Sequence, residues 1–330
     1  MRILFVLNYR KSKSGITEQV LLLKRKLVEK KFDVNLVNTY GSIFFRIKGL
    51  INAVRAGKKC DLIIGNGCSY FGFYPVFAAA AAAFFLNKRV IFNYHGGQAE
   101  KFLEKNNFWL KQVFGKNKII VASDFLLNVF KERGYPAAEK IDNIFDFENF
   151  PGPDHDVVVN RKVVWARSFE RLYRPDMALS IAEELTGKYD CEFHFYGDGS
   201  LLNELKRKYR NSRIIFHGLV ERETLLKEFM NYSVLMNTTL MDNIPNTIFE
   251  AGFYDLLVIS SRVGGINTTF GDQEIAFVEN NTREEYIKIL SDYFEQPEKF
   301  TYKRKNLRDK ILGFDWNNVK EKWLDVINHG

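Results

Sequence analysis

Residues able to meet an anion or a sugar cluster in loops that follow apolar runs. Four such loops stand out: Ser14-Gly15-Ile16, Gly197-Asp198-Gly199-Ser200, Gly218-Leu219 and Gly264-Gly265. At such places the chain reverses and a helix N-terminus offers backbone N–H groups to an anion. Each is equally readable as a tight turn, and taken singly the turn is the plainer reading. The segment from Asn237 to Gly252 carries more chemistry. It reads Asp242-Asn243-Ile244-Pro245-Asn246-Thr247-Ile248-Phe249-Glu250-Ala251-Gly252, with Pro245 at an expected first helical position and Asn243 as a cap. The first free amides would then be those of Asn246 and Thr247. Glu250 falls one turn further on, where a carboxylate accepts both hydroxyls of a ribose, and Asp242 precedes the helix, within reach of a sugar beyond the phosphates.

Regular elements have to hold these loops. Apolar runs at residues 2–8, 33–38, 62–65, 89–94, 118–122 and 140–144 alternate with helical patterns, which is the signature of a parallel α/β sheet. In the first helix Ile16, Val20, Leu23 and Leu27 form an apolar stripe with Lys24, Arg25 and Lys26 around it. Residues 150–156, Phe-Pro-Gly-Pro-Asp-His-Asp, have the composition of a linker. Alternation then restarts, with strands at 163–166, 192–196, 214–217, 234–236, 256–260 and 275–277 and helices at 175–185, 201–210, 222–230, 245–254 and 282–294. Two similar α/β halves are expected, and open parallel sheets bind ligands at the C-terminal ends of their strands, so the expected ligand lies in a cleft between them.

Composition bounds the class. With 330 residues, 46% apolar and 27% charged, the chain has room for two globular domains and is not a disordered tail. Cys60, Cys68 and Cys191 make no C-x-x-C pair and no metal-ligand spacing with the five histidines, which argues for free thiols in a reducing compartment. The N-terminal apolar run is too short for a signal peptide. The uncharged stretch 62–87 is broken by Asn66, Gly67, Ser69, Gly72 and Pro75, and its uninterrupted part is shorter than the roughly 17–25 residues that span a bilayer. Net charge is +8 but uneven: residues 1–150 carry 24 Lys/Arg against 12 Asp/Glu, residues 151–330 carry 24 against 28. A basic half suits an anionic partner such as a membrane surface or a phosphorylated substrate, or is simply a solvated basic surface. No recognition helix or aromatic strand motif for nucleic acid is present.

The ordered set of motifs resembles the retaining glycosyltransferases of family 4. Their mark, Glu-Gly-x-Pro-Asn-x-x-x-Glu-Ala followed by an apolar strand and Gly-Gly-Ile, stands here as Asp242-Asn243-Ile244-Pro245-Asn246-Thr247-Ile248-Phe249-Glu250-Ala251, then Leu257 to Ser260 and Gly264-Gly265-Ile266. Further matches are Ala166-Arg167 with Arg174, Tyr196-Gly197-Asp198-Gly199, Phe216-His217-Gly218-Leu219-Val220, Tyr94-His95-Gly96-Gly97 and Ile141 to Asp146. The resemblance implies an α/β protein of the GT-B fold, two Rossmann-like domains with parallel sheets facing across a cleft. It places the acceptor domain at residues 1–150, the donor domain at 151–314, and a helix at 315–330 returning to the first domain. It implies that Arg167 and Arg174 neutralise the donor diphosphate, Glu250 binds the ribose, Asp242 touches the donor sugar, His95 lines the sugar and acceptor side, and Gly15, Gly197, Gly218, Val220, Asn246 and Thr247 line the donor. Asp242 is one methylene shorter than the usual Glu, Asn243 replaces the usual Gly, and Ser14-Gly15 replaces a glycine pair, so donor-sugar specificity does not carry over.

The one Asp-x-Asp, Asp154-His155-Asp156, falls in the expected linker and not in a loop after a strand, so fixed positive charge with a helix N-terminus is expected to serve the diphosphate, and the expected enzyme is metal-independent and needs no cofactor beyond its nucleotide-sugar co-substrate. The implied reaction is transfer from a UDP- or GDP-linked sugar to a glycan or lipid-linked acceptor in cell-surface polysaccharide or glycoconjugate synthesis, in the cytoplasm or peripherally at the inner face of the plasma membrane. Phe44-Phe45-Arg46-Ile47-Lys48, with Leu50, Ile51 and Arg55, mixes aromatics and cations as interfacial helices do, or is a docked helix with a solvated rim. A sugar-nucleotide epimerase and a non-catalytic protein that only binds nucleotide sugars are the alternatives.

Overall fold

The computed structural model describes residues 1–9, 15–151 and 159–329. Ser14 and the heart of the expected linker, 152–158, lie outside the described residues. The chain divides into two compact units, Met1–Phe145 with Phe314–Gly330, and Asp146–Gly313.

In the first unit strands and helices alternate: β1 (Arg2–Leu7), α1 (Gly15–Glu29), β2 (Asp33–Asn38), α2 (Ile43–Gly57), β3 (Leu62–Gly67), α3 (Tyr74–Leu86), β4 (Arg89–Tyr94), α4 (Ala99–Phe114), β5 (Lys118–Val121), α5 (Asp124–Glu132) and β6 (Ala138–Lys140). Among the described residues the strands form one parallel sheet in the order β2-β1-β3-β4-β5-β6. Parallel strands are covered on both faces and so read as continuous apolar runs, which is why Ile3 to Val6 and Leu62 to Ile64 are fully buried. One face is covered by α2, α3, α4 and α5, the other by α1 and the closing helix Trp316–His329. That helix buries Trp316, Val319, Trp323, Val326 and Ile327 with Ile3, Phe5 and Ile91. It is tied at its start by Trp316 N donating to Phe145 O at 2.7 Å. At its end the Arg89 guanidinium donates to the carbonyls of Val326 and Ile327, a cation at a helix C-terminus.

The strand expected at 140–144 is a correction: β6 stops at Lys140, and the Ile144 amide is taken by the Gln19 side chain at 2.9 Å rather than by a neighbouring strand.

The second unit repeats the scheme with β7 (Lys162–Ala166), α6 (Pro175–Lys188), β8 (Glu192–Tyr196), α7 (Leu202–Lys208), β9 (Ile214–Gly218), α8 (Arg222–Phe229), β10 (Val234–Asn237), α9 (Asn246–Phe253), β11 (Leu257–Ser261), α10 (Gly264–Thr269), β12 (Ala276–Val278), α11 (Arg283–Glu295) and α12 (Thr301–Ile311). Its described strands are parallel in the order β12-β11-β10-β7-β8-β9. The core centres on Trp165, whose indole N–H donates to Thr238 Oγ1 at 3.0 Å and so satisfies the one polar atom of a fully buried ring.

Candidate active site

The C-terminal ends of β7, β8 and β10 assemble the cations and carboxylates of the second unit. Arg167 is the first residue after β7, and its amide donates to Tyr196 O at 3.1 Å. The loop after β8 lies directly on it: Gly197 has φ +132°, and a Cβ there would fall 2.0 Å from the Arg167 carbonyl oxygen. The Gly197 amide donates to Gly218 O at 2.8 Å, so in the structure this glycine holds two loops together rather than offering a free donor. Gly197→Ala should therefore push the Arg167 backbone out of place, lowering stability by about 1–3 kcal/mol. Urea unfolding checks this, and a variant as stable as the parent would contradict it.

The loop from Thr238 to Asn243 is fastened from both sides. Thr238 Oγ1 donates to Tyr173 O at 2.7 Å, and the Leu240 amide to Leu172 O at 2.8 Å. Gly264 has φ +48°, and a Cβ there would fall 2.0 Å from the Asp242 carbonyl oxygen, so only glycine permits this approach. Held in this way, the Asp242 carboxylate pairs with the Arg167 guanidinium, a contact across 75 residues of sequence. Asp242 Oδ1 also accepts the Asn243 amide at 2.8 Å. The Arg167 guanidinium lies 4.3 Å from the Tyr173 ring centroid, a cation–π contact, and its Nε is buried with no hydrogen-bond partner among the described residues.

Helix α9 begins at Asn246, with Pro245 in the N-cap position and no side-chain cap hydrogen bond, so the expected Pro at the first helical position is corrected by one residue and the expected Asn243 cap by two. The physical reason is that Pro245 has ψ +132°, extended rather than helical. Asn246 and Thr247 still open the helix, and Thr247 Oγ1 is buried without a partner among the described residues. Glu250 is 3% exposed and its Oε1 accepts from Arg222 Nε at 2.7 Å. Arg222, at the start of α8, also sits 5.1 Å from the Phe150 ring centroid. Sequence reading did not single out Arg222, which is 28 residues away and is brought in only by the packing of α8 on α9.

Arg174 is not brought onto Arg167 or Asp242 by any recorded contact: its guanidinium donates to Asn281 O at 2.8 Å. Gly218, at φ +70°, ends β9, and Val220 follows half-buried. A cavity of this unit, about 340 Å³, is lined by residues that include Lys162, His194, His217, Glu228 and Tyr232 and contains none of the expected site residues.

In the first unit His95 follows β4, its amide donating to Gly67 O at 2.9 Å. It lines a small cavity with Gln19, Asn93, Asp142, Asn143 and Trp323. Nε2 is buried with no partner among the described residues, and burial pushes the imidazole pKa down to about 4. The ring is therefore neutral at pH 7. Above the unfolded value of about 6.5 the ring is neutral in both states. As pH falls from there towards 4, the unfolded chain takes up the proton first and stability is lost. Between pH 7 and pH 5 the loss should be on the order of 1 kcal/mol greater than in His95→Asn, and urea unfolding at the two pH values measures it. Equal losses would contradict a buried neutral ring. Gly15 opens α1 in the same unit.

Among the described residues no group of three or more His, Cys, Asp or Glu side chains is placed to hold a metal. No helix of the described residues is long and apolar enough to cross a membrane.

These features define an α/β chain with two Rossmann-like units and a cation–carboxylate constellation at the strand ends of the second. Residues 160–296 match the family model described as Glycosyl transferases group 1. The fold matches Anabaena HepE in complex with UDP and glucose, with a TM-score of 0.80, 15% identity and full coverage of both chains. It also matches sucrose-phosphate synthase from Thermosynechococcus elongatus, with a TM-score of 0.79, 14% identity and coverage of 99% and 98%. Among curated proteins, one of the subunits of human phosphatidylinositol N-acetylglucosaminyltransferase is 25% identical over 186 residues, 54% of this chain and 37% of that protein, so the match spans well under half of that relative. The fold is GT-B, and the family model matches less than half of the chain, within the second unit.

Proposed function

We propose that the protein is a nucleotide-sugar-dependent glycosyltransferase that moves a hexose from a nucleoside diphosphate to a glycan or lipid-linked acceptor, with retention of anomeric configuration and without a metal. The observation that carries this reading is the Arg167–Asp242 pair at the strand ends of the second unit, with Arg167 Nε buried and without a hydrogen-bond partner among the described residues. Arg167 stabilises the departing diphosphate together with the amides that open α9. Arg174 acts as the second cation, since a guanidinium has five N–H donors and Asn281 takes one. Glu250 binds the ribose, Asp242 the donor sugar, and the neutral His95 of the first unit serves the sugar and acceptor side. In the front-face reaction the anomeric carbon–phosphate oxygen bond breaks while the acceptor oxygen bonds to the same face. The acceptor proton passes to the departing phosphate oxygen. UDP is favoured over GDP because the HepE structures hold UDP and UDP-glucose. Synthesis of cell-surface glycan or glycoconjugate is the setting that fits such an acceptor.

A thermal-shift screen of nucleotide sugars tests the donor class. A true donor at 100 times its dissociation constant stabilises by about 2.7 kcal/mol, and no shift with any UDP- or GDP-sugar would overturn the proposal.

A further inference from the structure

Two neighbouring helices of the first unit have their side-chain sizes inverted. In α2 the buried residues are Gly49, Ala53 and Gly57, while Phe44, Ile47 and Ile51 face solvent. A Cβ on Gly57 would meet Leu86 Cδ1 at 2.7 Å, so the small residues let the helix settle close to its neighbours. In α3 the buried face is largely alanine, Ala78, Ala79, Ala82 and Ala83, while Phe77, Phe84 and Phe85 point outward. Phe44, Phe84 and Phe85 are 79%, 82% and 72% exposed. A helix on a water-exposed surface turns its large apolar residues inward, so a stripe of this kind on two adjoining helices marks an interaction surface.

The two stripes belong to one surface. Helices α2 and α3 pack side by side and cover the same face of the sheet, so their outward sides adjoin. Arg46 locks them: its guanidinium lies 5.5 Å from the Phe71 ring centroid and 5.3 Å from that of Tyr74, and the Tyr74 hydroxyl donates to Arg46 O at 2.8 Å. Arg46 is thus part of the scaffold, whereas Lys48, Arg55 and Lys59 are exposed on the outward side or end of α2.

Charge decides what covers the surface. From Val34 to Ala99 the chain has seven Lys/Arg, of which Arg46 and Arg89 are engaged within the fold, and one acidic residue, Asp61, whose carboxylate is already held by Arg2 at 3.4 Å. Exposed phenylalanines on two helices lying side by side, with cations on α2 beside the uncharged α3, match the boundary of an anionic bilayer, where rings enter the acyl region and long cationic stems keep their heads among the phosphates. We propose that α2 and α3 form a membrane-docking face that seats the first unit on an anionic lipid surface. This goes beyond the transferase reading and needs neither donor nor turnover to test.

The experiment is vesicle cosedimentation with phosphatidylcholine alone and with phosphatidylcholine mixed with phosphatidylglycerol. Binding should rise with phosphatidylglycerol and fall as salt shortens screening from about 10 Å at 0.1 M to about 3 Å at 1 M. Combining Lys48→Gln, Arg55→Gln and Lys59→Gln should weaken binding to the anionic vesicles about a hundredfold at low salt, taking about 1 kcal/mol per cation. Combining Phe44→Ser, Phe84→Ser and Phe85→Ser should abolish binding at every salt concentration. All six side chains are exposed, and circular dichroism confirms that both variants fold. Equal sedimentation with the two lipid compositions, no sedimentation at all, or full binding by the phenylalanine variant would overturn the proposal. So would a wild-type dimer that becomes a monomer in the phenylalanine variant without vesicle binding, because the surface would then be covered by a second copy of the chain.

Discussion

Arg167→Ala is expected to lower turnover at saturating donor by roughly 10²–10³, the effect of removing one preorganised donor from developing negative charge. Lysine is a poor substitute, because the guanidinium engages Asp242 and stacks on Tyr173 at once while an ammonium is a point charge. Folding should survive, since the pair is partly exposed and the main-chain ties of the loop, such as Arg167 N to Tyr196 O, do not involve the side chain. Arg174→Ala should fall less far, because one of its donors is already spent on the Asn281 carbonyl. Steady-state kinetics measures both, and near-wild-type turnover in Arg167→Ala would show the guanidinium to be a structural partner of Asp242 alone.

Glu250→Ala and Asp242→Ala should separate two contacts that similar side chains make. Glu250 lies on the first turns of α9, one carboxylate oxygen on Arg222. In the proposed role of ribose ligand it would contact free nucleoside diphosphate and intact donor alike. Losing a hydrogen bond to a charged group costs about 1.5–3 kcal/mol, so both ligands should bind roughly 10- to 100-fold more weakly. Asp242 precedes the helix and is assigned to the sugar, so Asp242→Ala should spare the free nucleotide and impair only the intact donor. Removing Glu250 also strips Arg222 of its recorded carboxylate partner, so unfolding must be followed beside calorimetry to keep a stability loss from passing as a binding loss. Equal loss of free nucleotide binding in the two variants would refute the division of labour.

Much of this was legible in the sequence because parallel strands are buried on both faces. Ile3 to Val6 and Leu257 to Ile259 carry their burial in their composition, and strand–helix alternation followed from such runs. Helix α12 was not legible: Thr301–Ile311 is polar on most sides and buries only Leu307, Ile311 and Arg304, the last held on the Asp255 carboxylate at 2.8 Å. Candidate site residues were chosen by type and spacing, but their partners in the fold were not legible. Arg167 meets Asp242 across 75 residues and Arg222 meets Glu250 across 28, and only tertiary packing sets either pair. The glycines of the 197 and 264 loops looked like anion-binding turns, yet each lies against a carbonyl of the neighbouring loop. A one-dimensional pattern shows where a glycine is needed without showing what approaches it. The same holds for α2 and α3, whose apolar spacing was visible while the side facing the sheet was not.

The central claim, transfer from a nucleotide sugar, is tested most directly by following the donor with nuclear magnetic resonance in the presence and absence of acceptor. The account predicts at most slow hydrolysis of the donor alone, and, with acceptor, release of nucleoside diphosphate together with a glycoside of the same anomeric configuration as the donor. Conversion of the donor into another nucleotide sugar without acceptor would mark an epimerase, and a donor that binds yet remains intact under both conditions would mark a protein that only binds it. Either result contradicts the account.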